Sequence, residues 1–290
     1  MKFNKIGVIG AGTMGTGITV DLLFHGMHSV LVDISDEILE KAKTEIVKNI
    51  RFAPLLFKNA PKLDVEDALK QVSFTTQLED VRDCEYIVEN VPEEWDIKKK
   101  VYLELDNICE PGVCFGVDTS CTSITRVGAL TRRPDKVVGV HFMNPSYLKP
   151  VIEVMRGHHT SDECLETTRA LLKQMNKEAV VVNDFPGFVS NRISHLFMNE
   201  AAFVFQDGVA SAEQIDRIFK ECFGHKMGPL ETADLIGLDT VMKSLDVLYE
   251  SYQDPKFRCC PLLRKMVDAG NLGRKSGKGF YNYTPGGKTL

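Results

Sequence analysis

The seven histidines of this chain are scattered, but His141 stands apart because it closes an apolar run, Lys136-Val137-Val138-Gly139-Val140-His141. An imidazole changes charge near neutral pH, so a histidine at the carboxyl end of a strand is placed to move a proton for a bound substrate. A second signal lies near the N-terminus. Gly10, Gly12 and Gly15 follow Ile6-Gly7-Val8-Ile9 in G-x-G-x-x-G spacing. The first glycine suits a tight turn, the second lets a pyrophosphate approach the backbone, and the third permits close helix–strand packing. Thr13 and Met14 would open the following helix, whose free amides face the phosphates. Asp33 ends the next apolar run, Ser29-Val30-Leu31-Val32, eighteen residues after Gly15. A carboxylate there accepts from a ribose 2′-hydroxyl and repels a 2′-phosphate, and no Arg follows it, so the cofactor is read as NAD rather than NADP. A proton acceptor beside NAD implies hydride removal from a carbinol.

These residues need a sheet to hold them. Short apolar runs at 6–9, 30–32, 72–75, 86–91, 113–117, 137–142, 151–154 and 179–182 alternate with helical patterns, which predicts βαβ units and a mostly parallel, doubly wound sheet of Rossmann type. Ile38, Ala42, Ile46 and Ile50 repeat on one helix face behind a Ser35 N-cap, and a second helix near 65–69 returns to the third strand. A helical hairpin is therefore predicted at about 36–71. Beyond Asp184 the strand signals stop. Pro186 is placed to open a long helix to Gln206, Ser211-Ala212-Glu213-Gln214 reads as a capping box, and further helices are predicted at 237–252 and 261–269. The expectation is an NAD-binding domain at 1–184 and an all-α domain at 185–290.

A net charge of −5 argues against a nucleic-acid partner, and no apolar run reaches the length of a membrane span. Eight cysteines without C-x-x-C pairs suggest reduced thiols and no zinc site. The early first strand leaves no room for a signal peptide, so a soluble, cytoplasmic protein is expected.

His141-Phe142-Met143-Asn144-Pro145 with Glu153 twelve residues after the histidine resembles the H-F-F-N-P…E signature of the L-3-hydroxyacyl-CoA dehydrogenases, which include bacterial 3-hydroxybutyryl-CoA dehydrogenases. Asp118-Thr119-Ser120, the run from Asp184 to Arg192, Met227-Gly228-Pro229-Leu230-Glu231 and the glycine-rich run from Gly273 to Tyr281 are similar to further segments of that family. The resemblance implies that His141 is the general base and Glu153 its orienter. Ser120 and Asn191 would hold the substrate oxygens, with the site formed across both domains. Glu93, Lys98, Ser120 and Asn144 would lie near the cofactor. The resemblance also implies a homodimer formed through the helical domain. Without it, Ser120 could equally be a helix N-cap and Asn191 a solvent-facing helix residue.

The sequence also departs from the pattern. Asp118 replaces the family's Asn, and Met143 its second Phe. The hairpin tip carries Arg51, Phe52, Leu55, Leu56, Phe57, Lys58 and Lys62, poorer in cations than a CoA nucleotide site. The substrate is thus read as an acyl-CoA thioester, with an acyl-carrier-protein-bound hydroxyacyl group of the glyceryl, polyketide-extender type as the alternative. A sugar-acid dehydrogenase and a non-catalytic, crystallin-like structural protein are further alternatives.

Overall fold

The computed structural model describes residues 1–56 and 61–284; Phe57 and Lys58 of the hairpin tip lie outside them. Within the first compact unit, Met1–Phe185, eight strands form one sheet: β1 (Lys5–Ile9), β2 (His28–Val32), β3 (Val72–Thr75), β4 (Tyr86–Glu89), β5 (Cys114–Asp118), β6 (Val137–His141), β7 (Val151–Arg156) and β8 (Glu178–Asn183). Their order is β3-β2-β1-β4-β5-β6-β7-β8. The winding reverses between β1 and β4, which opens a ligand crevice at the strand ends there. Every pairing is parallel except that of β6 with β7, so β7 and β8 run against the rest.

The helices of this unit are α1 (Thr13–Phe24), α2 (Asp36–Leu56), α3 (Val65–Lys70), α4 (Trp95–Ile108), α5 (Ile124–Gly128) and α6 (Asp162–Gln174). Helix α1 is apolar all round and is buried over residues 15–23, as expected of the helix wedged directly behind the central strands. Ser35 caps α2, its hydroxyl accepting from the Ile38 amide at 3.3 Å. Ala42, Ile46 and Ile50 are buried as the periodicity predicts, with Leu39 in place of the half-buried Ile38. At the described part of the hairpin tip, Arg51, Phe52 and Leu55 are exposed.

The second compact unit begins at Pro186 and contains α7 (Ser190–Gln206), α8 (Ala212–Phe223), α9 (Pro229–Ile236), α10 (Leu238–Tyr252) and α11 (Pro261–Asp268). The capping box at Ser211 forms as predicted, with Ser211 and Gln214 bonding each other's backbone amides. Helix α7 starts four residues after the expected Pro186, at Ser190. Gly187 and Phe188 both have positive φ, 77° and 50°, and a left-handed pair cannot lie inside a right-handed helix. Two buried carboxylates organise this unit. Asp216 accepts from the Leu230 and Glu231 amides at the start of α9 and from the Tyr281 hydroxyl. Asp234 accepts from the Phe280 and Tyr281 amides and the Tyr283 hydroxyl. The glycine-rich run from 273 to 281 is therefore read as a wrap around Asp234.

A Cβ on Gly279 would lie 2.0 Å from Asp234 Oδ1. Gly279→Ala should accordingly cost about 1–3 kcal/mol, the range for forced overpacking. Thermal unfolding followed by circular dichroism should show a lowered midpoint; an unchanged midpoint would contradict this account of the motif.

Candidate active site

The glycine turn does in space what its spacing predicts. Gly10 has φ 94°, and a Cβ there would meet the Asn90 carbonyl oxygen at 2.8 Å. A Cβ on Gly15 would lie 1.8 Å from the Gly10 oxygen, so only glycine lets α1 approach β1. Gly12 is the opposite case: nothing lies within 4 Å of its would-be Cβ. The backbone there is open to a ligand. Helix α1 has Gly12 as N-cap with no side chain on its first amides, leaving those donors available to an anion. Thr13 is exposed beside them, while Met14 packs partly into the core.

Asp33, just past β2, accepts from the Ala11 amide through Oδ2 at 2.6 Å and from the Ile34 amide through Oδ1 at 2.7 Å. A carboxylate has about four acceptor positions, so capacity remains for a ribose diol. An open groove of about 520 Å³ adjoins this turn and is lined by Gly12, Thr13, Ile38, Asn49, Asn144 and Tyr147, among others. Asn144 is exposed on it. Lys177 steadies the adjoining loop, its ammonium donating to the Ser146 and Lys149 carbonyls at 2.8 Å and standing 2.9 Å from buried Asp21. A cavity of about 470 Å³ in the second unit, bordered by Leu196, Phe203 and Arg258, contains none of the expected site residues.

The antiparallel pairing of β6 and β7 sets His141 directly opposite Glu153. Both are buried, at 7% and 8% exposure. His141 Nδ1 lies 3.2 Å from Glu153 Oε2, and Nε2 lies 3.2 Å from Ser120 Oγ. A carboxylate on Nδ1 fixes the imidazole so that Nε2 can accept a proton. Ser120 does not cap a helix; Ser123 does, accepting from the Arg126 amide at 3.3 Å. Asn191 sits in the first turn of α7, in the second unit, and its carbonyl is 2.9 Å from His195 Nδ1.

Glu93 clamps the loop that carries Ser120. Its Oε1 accepts from the Ser120 amide at 2.8 Å and from the Thr119 hydroxyl, and Oε2 accepts from the Thr122 hydroxyl at 2.6 Å. Burial works against its charge, but Lys98 and these donors outweigh it and hold the carboxyl below the usual glutamate range. Lys98, expected near the cofactor, stands behind Glu93. Its side chain is wholly buried, bonded to both oxygens of Glu89 at 3.0 and 3.1 Å and 3.7 Å from Glu93 Oε2. It faces the interior behind Glu93 and presents no surface to a cofactor. Burial opposes its charge, yet Glu89 and Glu93 keep the ammonium above its ordinary pKa.

Glu89 and Tyr102 complete this cluster and were missed by sequence reasoning; the Tyr102 hydroxyl donates to Glu89 Oε2 at 2.8 Å. The signal was present, since a carboxylate ending an apolar strand needs a buried partner. Asp184 opens the run that resembles the family segment ending at Arg192. It anchors the start of α5 by accepting from Ser123 Oγ and from the Thr125 amide and hydroxyl.

Comparison with known proteins bears on what this arrangement is for. A family profile described as "3-hydroxyacyl-CoA dehydrogenase, NAD binding domain" matches residues 5–185, and the C-terminal domain of the same family matches residues 187–283. The chain belongs to the 3-hydroxyacyl-CoA dehydrogenase family. It is 40% identical over 283 residues to a probable 3-hydroxybutyryl-CoA dehydrogenase of Bacillus subtilis, covering 98% of each chain. It is also 40% identical to the 3-hydroxybutyryl-CoA dehydrogenase of Bradyrhizobium diazoefficiens, covering 96% of this chain and 95% of that one. The crystal structure of (S)-3-hydroxybutyryl-CoA dehydrogenase from Ralstonia eutropha superposes with a TM-score of 0.91 at 37% identity, over 98% of this chain and 100% of that chain. The chain is thus an NAD-dependent oxidoreductase by family, and the open Gly12 backbone, uncapped α1 amides and Asp33 fit that cofactor. The carrier-protein, sugar-acid and crystallin alternatives gain no support from these relatives.

Asp33→Asn should weaken NADH binding by about 10- to 150-fold, since a charged hydrogen bond contributes about 1.5–3 kcal/mol. NADPH should be affected far less, because the substitution also removes repulsion of the 2′-phosphate. Fluorescence titration with both nucleotides measures this; equal losses for the two would contradict the 2′-hydroxyl role of Asp33.

Proposed function

We propose that this chain interconverts a 3-hydroxyacyl-CoA and its 3-oxoacyl-CoA, with 3-hydroxybutyryl-CoA the substrate suggested by the names of its relatives. The observation that carries the proposal is the seating of His141 between Glu153 and Ser120 at the carboxyl end of β6. NAD, held by the turn at Gly10, Gly12 and Gly15 and by Asp33, would supply the acceptor for the hydride leaving C3 of the substrate. His141 Nε2 takes the proton of the 3-hydroxyl, and Glu153 offsets the charge of the resulting imidazolium. Ser120 Oγ, within hydrogen-bond reach of the same nitrogen, donates to the substrate oxygen as it gains carbonyl character. In the reverse direction the same hydroxyl and the imidazolium polarise the 3-oxo group.

Asn191 is assigned to substrate binding. Glu93, through its hold on Ser120, and Asn144, through the groove it lines, are assigned to the cofactor side. Lys98 acts through Glu93. We assign a homodimer as well, supported by the exposed Ile193, Val209, Phe223 and Leu235 of the second unit, which an apolar isologous interface would cover. The thiols, all free and six of them buried, suit a reducing, cytoplasmic compartment. Among the described residues no helix is long and apolar enough to cross a membrane.

His141→Gln should lower kcat for acetoacetyl-CoA reduction by about 10²–10⁴-fold, the usual loss of a general acid–base group. NADH binding should remain near the unmodified value. Stopped-flow and steady-state assays test this, and near-normal turnover would remove the mechanism.

A further inference from the structure

Behind Ser120 and His141, three carboxyl groups crowd one ammonium: Glu89 from β4, Glu93 from the segment before α4, Asp118 from the end of β5, and Lys98 from α4. The three acids are unequally served. Glu89 accepts from Lys98, from the Tyr102 hydroxyl and, at 2.7 Å, from the Val91 amide. Glu93 takes the Thr119 and Thr122 hydroxyls and the Ser120 amide, and also lies near Lys98. Asp118 has one bond: its Oδ1 accepts from the Phe142 amide at 3.0 Å. Among the described residues, no donor bonds its Oδ2.

That single bond is well placed. Phe142 directly follows His141, and Asp118 precedes Thr119-Ser120, so the bond ties together the two strand ends that carry the base and the hydroxyl. Glu89 and Lys98 of this cluster are buried and Asp118 is half-buried; three negative charges beside one positive charge are costly there, and the least-served acid loses least by keeping its proton.

We propose that Asp118 is a positioning residue that works as the neutral acid, one oxygen aligning the ends of β5 and β6 and the other carrying a proton. Burial pushes its carboxyl well above the usual aspartate range, and the Phe142 amide and Lys98 do not reverse this while Glu89 and Glu93 add to it. The titratable groups around the cluster are Glu89, Glu93, Lys98 and Tyr102, with Cys121 after β5 and His141 on β6. The carboxamide of Asn would supply the same acceptor without an ionisable proton; Ala would supply none. The proposal rests on Ser120 and His141 being the reacting pair.

The test uses the full-length protein and the variants D118N and D118A. Infrared difference spectra of unmodified protein minus D118N, taken at neutral pH, should contain the carbonyl stretch of one protonated carboxyl. D118N should keep kcat for acetoacetyl-CoA within about threefold, while D118A should lose roughly 10- to 100-fold, the scale of small misplacements of reacting groups, with NADH affinity retained. No protonated-carboxyl band in the difference spectrum, a large loss in D118N, or full activity in D118A would each overturn the proposal. Should D118A fail to fold, the spectrum and the kcat of D118N decide. The spectrum is independent of turnover, so full activity in His141→Gln would refute the assigned chemistry while leaving the proton on Asp118 to be judged separately.

Discussion

The antiparallel pairing of β6 with β7 is the constraint on which the site depends. Strands that otherwise run parallel would place Glu153 elsewhere, because a parallel partner needs a crossover and shares no short connection with β6. Reversing direction after a nine-residue link, 142–150, brings Glu153 back to face His141 across the ladder. Cross-strand neighbours have their side chains about 4.5–5.5 Å apart at Cβ, which is why the contact needs no flexible reach from either residue. A one-residue slip would send both side chains to opposite faces of the sheet. Core packing of Val140 and Val154, the adjoining pair of the ladder and both almost fully buried, holds the register. The orientation of the imidazole is thus a consequence of backbone pairing and hydrophobic packing.

Ser120 arrives by a different route. It lies on a loop past β5, where backbone pairing no longer fixes position, and Glu93 replaces the missing ladder by taking three donors from that loop. Lys98 stands behind Glu93 as its countercharge while being itself buried and held by Glu89. Breaking such a chain of buried ions at one point leaves another uncompensated, so the members stand or fall together.

Much of this was legible in the sequence, for definite reasons. The need for glycine at 10 and 15 follows from backbone sterics alone, and a Cβ at either would clash, while Gly12 stands in open space. The strands of the first unit were readable because buried parallel strands are continuous apolar runs. The start of α7 was not legible because Pro186 is a good first helical residue in general, while no local signal marks the positive φ of buried Phe188. The burial of Lys98 was not legible, because its partner Glu89, itself bonded to Tyr102, is brought to it only by the fold. Twelve residues separate His141 from Glu153 in the chain, and spacing by itself could not distinguish a cross-strand pair from two unrelated side chains.

The central claim is that His141 and Glu153 act as one unit. A double-mutant cycle in kcat, with His141→Gln, Glu153→Gln and the double variant, tests it most directly, since groups that act together are strongly non-additive. The account predicts that adding Glu153→Gln to His141→Gln costs little further activity, because Glu153 has no imidazolium left to stabilise. If the two losses simply multiply, Glu153 serves the reaction independently of His141 and the account fails.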